Sequence, residues 1–232
     1  EVNGVYLEDS HPKVVSSSSP ISLSSSSSET SSETSSEDSS ETSSKASPEA
    51  SLSSSFDAGK YARFFEHPWL NGAARRFLFE ERRIDERVAR WCRLTSWTDR
   101  KGVNWLQIPY FDMEGKLIGI QNRNLDYKKN QKMLVDAPRF RFPYGARCSI
   151  YNLPVVKMLK PGERLFITEG CSDCWAMLSA GHKAIAIPSA TLLKPEDKKW
   201  LAEIGEKLHT EWHMFPDRDA PGESLFLQLK EI

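Results

Sequence analysis

From residue 58 onward, apolar positions recur with two different periods. Over residues 60–94 they fall at helical spacing. Ala74, Phe77 and Leu78 share one face, and Val88, Trp91 and Cys92 share another, which predicts two helices with Asp85 as the N-cap of the second. The stretch NWLQIPYFDMEGKLIGIQNRNLD, residues 104–126, carries two apolar runs on either side of Met113-Glu114-Gly115-Lys116. That pattern predicts a hairpin with Gly115 supplying the turn. Residues 137–154, APRFRFPYGARCSIYNLP, are punctuated by proline and glycine and read as a basic connector. Beyond residue 162 short apolar runs alternate with helical patterns. RLFIT (164–168), KAIAIP (183–188) and TEWHMF (210–215) read as strands. CSDCWAMLSAG, closed by Gly181, KPEDKKWLAEIGEKL, with Pro195 in its first turn, and APGESLFLQLKEI read as helices. Such alternation implies right-handed crossovers and a parallel sheet, with functional groups just beyond the carboxyl ends of the strands.

The expected fold class is therefore α/β, a parallel sheet flanked by helices over residues 161–232. A small α+β basic subdomain precedes it at residues 58–160. Composition adds a third segment. Of the first 55 residues 24 are serine, and residues 1–57 hold ten acids against two bases. So polar a stretch cannot bury enough apolar surface to offset its ordering entropy, and it is expected to be a disordered acidic linker. The other residues carry 29 bases against 22 acids, a balance that suits a polyanionic partner. There is no apolar run of about 18 residues and no basic-plus-apolar leader, so no membrane partner is expected. Four cysteines, Cys92, Cys148, Cys171 and Cys174, show no secreted framework spacing and fit a reducing cytoplasm.

The candidate chemistry sits at two strand ends. RLFIT runs into Glu169-Gly170, and TEWHMF runs through Pro216 into Asp217-Arg218-Asp219, with Gly222 shortly after. If the two strands are neighbours, three carboxylates converge on one sheet edge. Each acid alone reads rather as a polar cap on a turn. Together, on successive strand ends, they point to a metal site, because crowded like charges need a cation to relieve them. Mg²⁺ (or Mn²⁺) suits oxygen ligands completed by water and substrate phosphates. Gly170 and Gly222 leave room for close approach.

The order LFITEGCSDCWAMLSAG then MFPDRDAPGE resembles the Toprim domain of DnaG-type primases, topoisomerases and some nucleases. Upstream, FLFEERRIDERVARWCRL followed by Gly115, Gly119 and Arg123 of the hairpin is similar to the first half of the primase RNA-polymerase region. Ile150-Tyr151-Asn152 is similar to that family's Leu-Tyr-like segment. The resemblance spans residues 72–232 and implies a Toprim-like sheet and a DNA primase. Such an enzyme makes short RNA primers on single-stranded DNA from ribonucleoside triphosphates, with a replicative helicase as candidate partner. It implies that Glu169, Asp173, Asp217 and Asp219 bind the metal and that Arg123 acts with Glu169, Asp217 and Asp219 in catalysis. Lys116, Arg139, Arg141 and Arg147 would then hold template or nucleotide phosphates. Arg139 takes the place of a family lysine, and Arg141 and Phe142 stand where the family has an asparagine. The resemblance also implies a zinc-binding module upstream and a further strand downstream, so the chain reads as a fragment truncated at its carboxyl end.

Two other readings stand beside this one, a Toprim-type nuclease and a non-catalytic module that binds single-stranded nucleic acid. Cys171 and Cys174 form a lone pair at a helix start, better read as coincidence than as a zinc or redox motif. His11, His67, His182, His209 and His213 lack ligand spacing and read as surface or packing residues. The seven tryptophans read as core. Phe140, Phe142 and Tyr144, interleaved with Arg139, Arg141 and Arg147, suit either packing or nucleic-acid contact.

Overall fold

The computed structural model describes residues 56–128, 137–188 and 193–232. The expected linker lies, except for its last two residues, outside the described residues, as does His11. The described chain begins with a 3₁₀ turn, Ala58–Lys60, and a short helix, α1 (Ala62–Glu66). Helix α2 (Gly72–Arg75) runs directly into a π-helical stretch, Arg76–Glu81, and α3 spans Glu86–Trp91. The apolar periodicity located this helical pair correctly. It did not foresee that the first helix widens to π geometry, or that a separate short helix precedes it.

Caps fix these elements in place. Asp85 accepts a hydrogen bond from the Arg87 amide at 2.8 Å, as expected of an N-cap. Its own amide donates to Ser179 Oγ, far along the chain. Asn71 caps α2 through the Ala74 amide at 2.9 Å, and its Nδ2 donates to Asn104 Oδ1 at 3.0 Å. A buried amide side chain with its partners satisfied in this way ties the helix to the sheet beneath it.

That sheet is antiparallel, in the order β1 (Thr95–Thr98), β2 (Asn104–Phe111), β3 (Leu117–Asn124), β4 (Phe140–Arg141). The β2–β3 hairpin turns where expected. Asp112 Oδ1 accepts from the Glu114 and Lys116 amides, and Gly115 takes a φ of 81°, the left-handed region that glycine enters without strain. Strands β1 and β4 were not expected. β1 lies in polar sequence, and β4 is two residues inside the presumed connector. In β2, Leu106, Ile108 and Tyr110 face the main core, while Trp105 packs on the other side with Val103 and Ala137. Both faces are covered, and so the strand is buried almost throughout.

The second sheet is parallel, in the order β6 (Ala184–Ala186), β5 (Arg164–Thr168), β7 (Glu211–Met214). Helix α4 (Cys171–Ser179) joins β5 to β6, α5 (Pro195–Leu208) precedes β7, and α6 (Ala220–Lys230) follows it. Gly181, at φ 86°, closes α4. The amides of Gly181 and His182 return to the carbonyls of Leu178 and Met177, both at 3.0 Å, which is the Schellman pattern. This is the mixed α/β architecture expected, with the parallel sheet in the second half.

One hydrophobic cluster, drawn from Ala74 to Leu229, lies under both sheets. Two tryptophans depart from the core assignment, since Trp69 and Trp97 are 64% and 41% exposed. Trp69 precedes α2 on a loop where its own backbone bonds to Thr95 of β1, and Trp97 points outward from the edge strand β1. Among the described residues, no helix is long and apolar enough to cross a membrane.

Asp85→Ala removes the α3 cap and should lower stability by about 1 kcal/mol. For a folded region of this size, differential scanning calorimetry should show Tm falling by about 2–4 °C.

Candidate active site

β5 and β7 are direct neighbours, with Leu165 opposite Trp212 and Ile167 opposite Met214. The chain therefore leaves both strands at one level, and the acids that follow them meet. Glu169 Oε1 accepts the Asp217 amide hydrogen at 2.7 Å, which joins the two strand ends. Asp219 caps α6, its Oδ1 accepting from the Gly222 amide at 2.9 Å. Gly222 is required by space. A Cβ there would stand 2.5 Å from both the Asp217 carbonyl oxygen and Glu169 Oε1, inside any real contact distance. Gly170 is less constrained, because an added Cβ would meet only Asp173 Oδ2 at 2.5 Å, the end of a side chain that can turn aside.

Glu169, Asp173 and Asp217 line one wall of a cleft of about 280 Å³. Arg82, Arg123, Arg139 and Phe140 line the other. The arginines are held by aromatic rings. Arg123 lies over Phe77 at 4.9 Å and over Phe140 at 5.7 Å, Arg82 over Phe77 at 5.6 Å, and Arg139 over Phe140 at 5.2 Å. Cation–π stacking of this kind orients each guanidinium and leaves its N–H edge free for an anion. Burial lowers the Arg123 pKa, and the charges of Arg139 and Arg82 add to that. On the facing wall burial raises Glu169, and Asp217, Asp219 and Asp173 push in the same direction against the Asp217 N–H. Asp173 is also raised, by burial first and then by Asp217, with Arg82 and Arg123 opposing. Like charge is thus crowded on each wall, and the facing wall relieves it only in part, Arg82 acting most strongly at Asp173, so that a bound phosphate and cation would relieve the rest.

A cation fits the acid wall on the chemistry of its donors. Every candidate ligand is a carboxylate oxygen, the hard donor that Mg²⁺ or Mn²⁺ prefers. Among the described residues no three His, Cys, Asp or Glu side chains stand close enough to form a cage on their own. Carboxylates alone suit an ion that takes one or two of them and fills its shell with water and phosphate.

The other sequence candidates lie elsewhere. Lys116 is exposed in the hairpin turn. Arg141 alternates away from Phe140 along β4, stacks over Trp105 at 4.3 Å and pairs with Asp99 at 3.8 Å. Arg147 is exposed, and its amide donates to the Ile118 carbonyl. None of the three lines the cleft. Arg82 does, and sequence reasoning missed it. It is one of six arginines between residues 75 and 90, and which of them faces the cleft depends on the π-helical stretch just before it.

Cys171 borders the cleft as a buried neutral thiol 3.3 Å from Tyr110 Oη, its pKa pushed up by burial to about 12. Cys174 Sγ donates to the Ala184 carbonyl, and burial raises it as well. Both side chains are buried in hydrogen-bonded packing, as the reading of the pair as coincidence expects. His182 and His213 pack on the Phe166 ring at 4.7 and 5.3 Å, as packing residues do.

Because Asp217 raises the Glu169 pKa, Asp217→Asn should lower it. The backbone hydrogen bond at position 217 remains in that variant. Carboxyl-carbon NMR titration of Glu169 would show the shift, and an unchanged or higher midpoint would contradict this account.

No protein-family model matches the chain, and no curated protein does. Solved structures do match. The RNA polymerase domain of Mycobacterium tuberculosis primase DnaG, in complex with double-stranded DNA, aligns over 74% of this chain and 64% of that one, at 17% identity and a TM-score of 0.52. A DNA primase domain from Pseudomonas aeruginosa aligns over 75% of this chain and 63% of that one, at 17% identity and a TM-score of 0.51. The primase fragment of the bacteriophage T7 primase-helicase protein matches over 66% of this chain and 59% of that one, at 16% identity and a TM-score of 0.48. The chain thus spans less than two thirds of the length of each. At these identities the likeness is one of fold, and the fold is that of DnaG-type primase catalytic domains.

Proposed function

We propose that the chain carries the catalytic region of a DNA primase, which makes short RNA primers on a single-stranded DNA template from ribonucleoside triphosphates. In this reading residues 58–160 form the basic subdomain and residues 161–232 the Toprim domain. The observation that carries it is the pairing of walls in one cleft, Glu169, Asp173 and Asp217 facing Arg82, Arg123 and Arg139. A nucleoside triphosphate with its cation is the ligand that satisfies both walls together. The primase fold supports the same reading.

Nucleotidyl transfer asks the protein chiefly for position and charge. A primer or nucleotide 3′-hydroxyl gives up its proton to solvent water and attacks the α-phosphorus of the incoming triphosphate, a new P–O bond forms, and the bond to pyrophosphate breaks. Glu169 and Asp217, joined by their hydrogen bond, would hold the cation with Asp173 and Asp219 nearby. Magnesium supplies charge neutralisation at the phosphate oxygens and at the leaving group. Arg82, Arg123 and Arg139, fixed on Phe77 and Phe140, would take the non-bridging oxygens and the charge that develops on pyrophosphate. A polyanionic template and a replicative helicase are the partners this role implies.

One observation favours a second reading. Arg141, which stands where the family has an asparagine, turns out of the cleft onto Trp105, which would also suit a module that binds single strands without turnover. Two measurements separate these readings. With Mg²⁺ or Mn²⁺, the full-length protein should incorporate labelled ribonucleotides into short RNA on single-stranded DNA. Glu169→Gln, Asp217→Asn and Arg123→Ala should each reduce that by about a hundredfold or more. Synthesis that survives Asp217→Asn would remove the primase assignment, and Mg²⁺-independent strand binding without synthesis would favour the module. Separately, millimolar Mg²⁺ should raise Tm at neutral pH by relieving the crowded acids, since a ligand of the folded state stabilises it by mass action. The increase should disappear in a Glu169→Gln/Asp217→Asn double variant.

A further inference from the structure

The loop that leaves the cleft carries two exposed aromatic rings. Phe140 lines the cleft. Phe142 and Tyr144 follow it at two-residue spacing and are 50% and 81% exposed. Among the described residues, neither ring stacks on another ring or holds a cation, whereas Phe140 holds both Arg123 and Arg139. A single exposed aromatic is ordinary. Two on one loop, beside an arginine-lined cleft, are more specific.

The loop is anchored at both ends. On one side β4 pairs with β3, Arg141 opposite Asn122 and Phe140 opposite Arg123. On the other, the Arg147 amide donates to the Ile118 carbonyl at 2.9 Å. Gly119 makes that closeness possible, since a Cβ there would stand 2.5 Å from the Arg147 carbonyl oxygen. Between the anchors Pro143 to Ala146 form a turn. The Ala146 amide donates to the Pro143 carbonyl at 3.2 Å, and Gly145 has a φ of 71°. Positive φ at the third position is the signature of a type II turn. It puts Tyr144 at the tip of a fixed turn, at most about 14 Å along the chain from Phe140.

Flat rings presented to solvent next to guanidinium groups match single-stranded nucleic acid. Bases stack on the rings, and cations meet the phosphates. Arg139 lies before the pair and exposed Arg147 after it. Residues 58–232 also carry an excess of bases over acids. We propose that Phe142 and Tyr144 form a stacking platform for the bases of a single strand as it passes from the cleft. This deepens the nucleotidyl-transfer reading and rests on it for the identity of the strand as template. Duplex bases are already stacked on one another, so the platform selects single strands. The preference is weak in sequence, because every base has a flat face.

The test is fluorescence-anisotropy titration of labelled strands in EDTA without nucleotides, so that it is independent of synthesis. Phe142→Ala and Tyr144→Ala should each weaken binding of a 16-residue oligothymidine by about tenfold or more. Tyr144→Phe, which keeps the ring, should bind as the wild type does. Trp69→Ala, an exposed aromatic away from the cleft, should also leave binding unchanged. An oligonucleotide of the same length made abasic throughout should bind the wild type and both alanine variants equally weakly. An oligouridine arm separates DNA from RNA, and a loss with either strand supports the platform. Three results overturn it. One is oligothymidine binding within twofold of wild type for both alanine variants, which would leave the rings to a protein partner. The second is a loss equally large on the abasic strand. The third is a loss equally large on a duplex of the same length. Loss of synthesis in Asp217→Asn with strand binding unchanged by Phe142→Ala and Tyr144→Ala would reject the platform alone. The reverse pattern would reject the polymerase reading alone.

Discussion

Tyr151 is held on three sides, and the cleft depends on it. Its backbone exchanges two hydrogen bonds with Ala186, which adds it to the outer edge of the parallel sheet beside β6. Its hydroxyl accepts from Trp175 Nε1 at 2.9 Å in α4. Its ring meets Tyr110 of the antiparallel sheet edge-on, with centroids 5.1 Å apart. Next to it Asn152, in the left-handed region at φ 64°, accepts from Trp91 of α3 and donates to the Ala184 carbonyl. Full burial raises the Tyr151 pKa, so the phenol stays neutral, as a hydrogen-bonding group inside an apolar seam must.

The seam matters because the two walls of the cleft belong to different sheets. The arginines come from β3, from the residue before β4 and from the end of the π-helical stretch. The acids come from the ends of β5 and β7 and from α4. No hydrogen bond or ion pair among the described residues crosses the cleft between those walls, so the packing behind them sets their separation. Tyr110 closes the link. Its ring touches Tyr151, and its hydroxyl meets Cys171 in the first turn of α4, two residues before Asp173. A shift of the seam would therefore move arginines relative to carboxylates, and electrostatic energies change steeply at such short range.

Much of this was legible in the sequence, for identifiable reasons. The strand at 164–168 carries a short continuous apolar run, the one at 211–214 alternates Trp212 and Met214 with polar residues, and their acids sit where open α/β sheets expose function. Of the three carboxylates expected to converge, Glu169 and Asp217 meet because β7 pairs directly with β5, whereas Asp219 caps α6 and does not line the cleft. Gly222 was legible as room for an approach, though not as the residue that lets α6 close onto both acids. The arginine wall was legible only in part. Arg123 and Arg139 were picked out, whereas Arg82 was hidden among neighbours of equal charge. Arg141 and Arg147 looked equivalent to Arg139 in a basic stretch, but β4 is a real strand and its alternation turns Arg141 onto Trp105. Two paired residues are too short to give a periodic signal. Side-chain direction in such a segment is decided by partners distant in sequence.

The four cysteines have a practical consequence. All are buried, and burial raises the pKa of each. Thiol-selective dyes react with thiolates at accessible sulfurs, so the native cysteines are poor competitors for them. A single cysteine introduced at an exposed position, such as the turn that carries Tyr144, could be labelled in the wild-type background. The folded protein thus comes with a blank thiol surface, on which one reporter can be read without first stripping out the cysteines that pack its core.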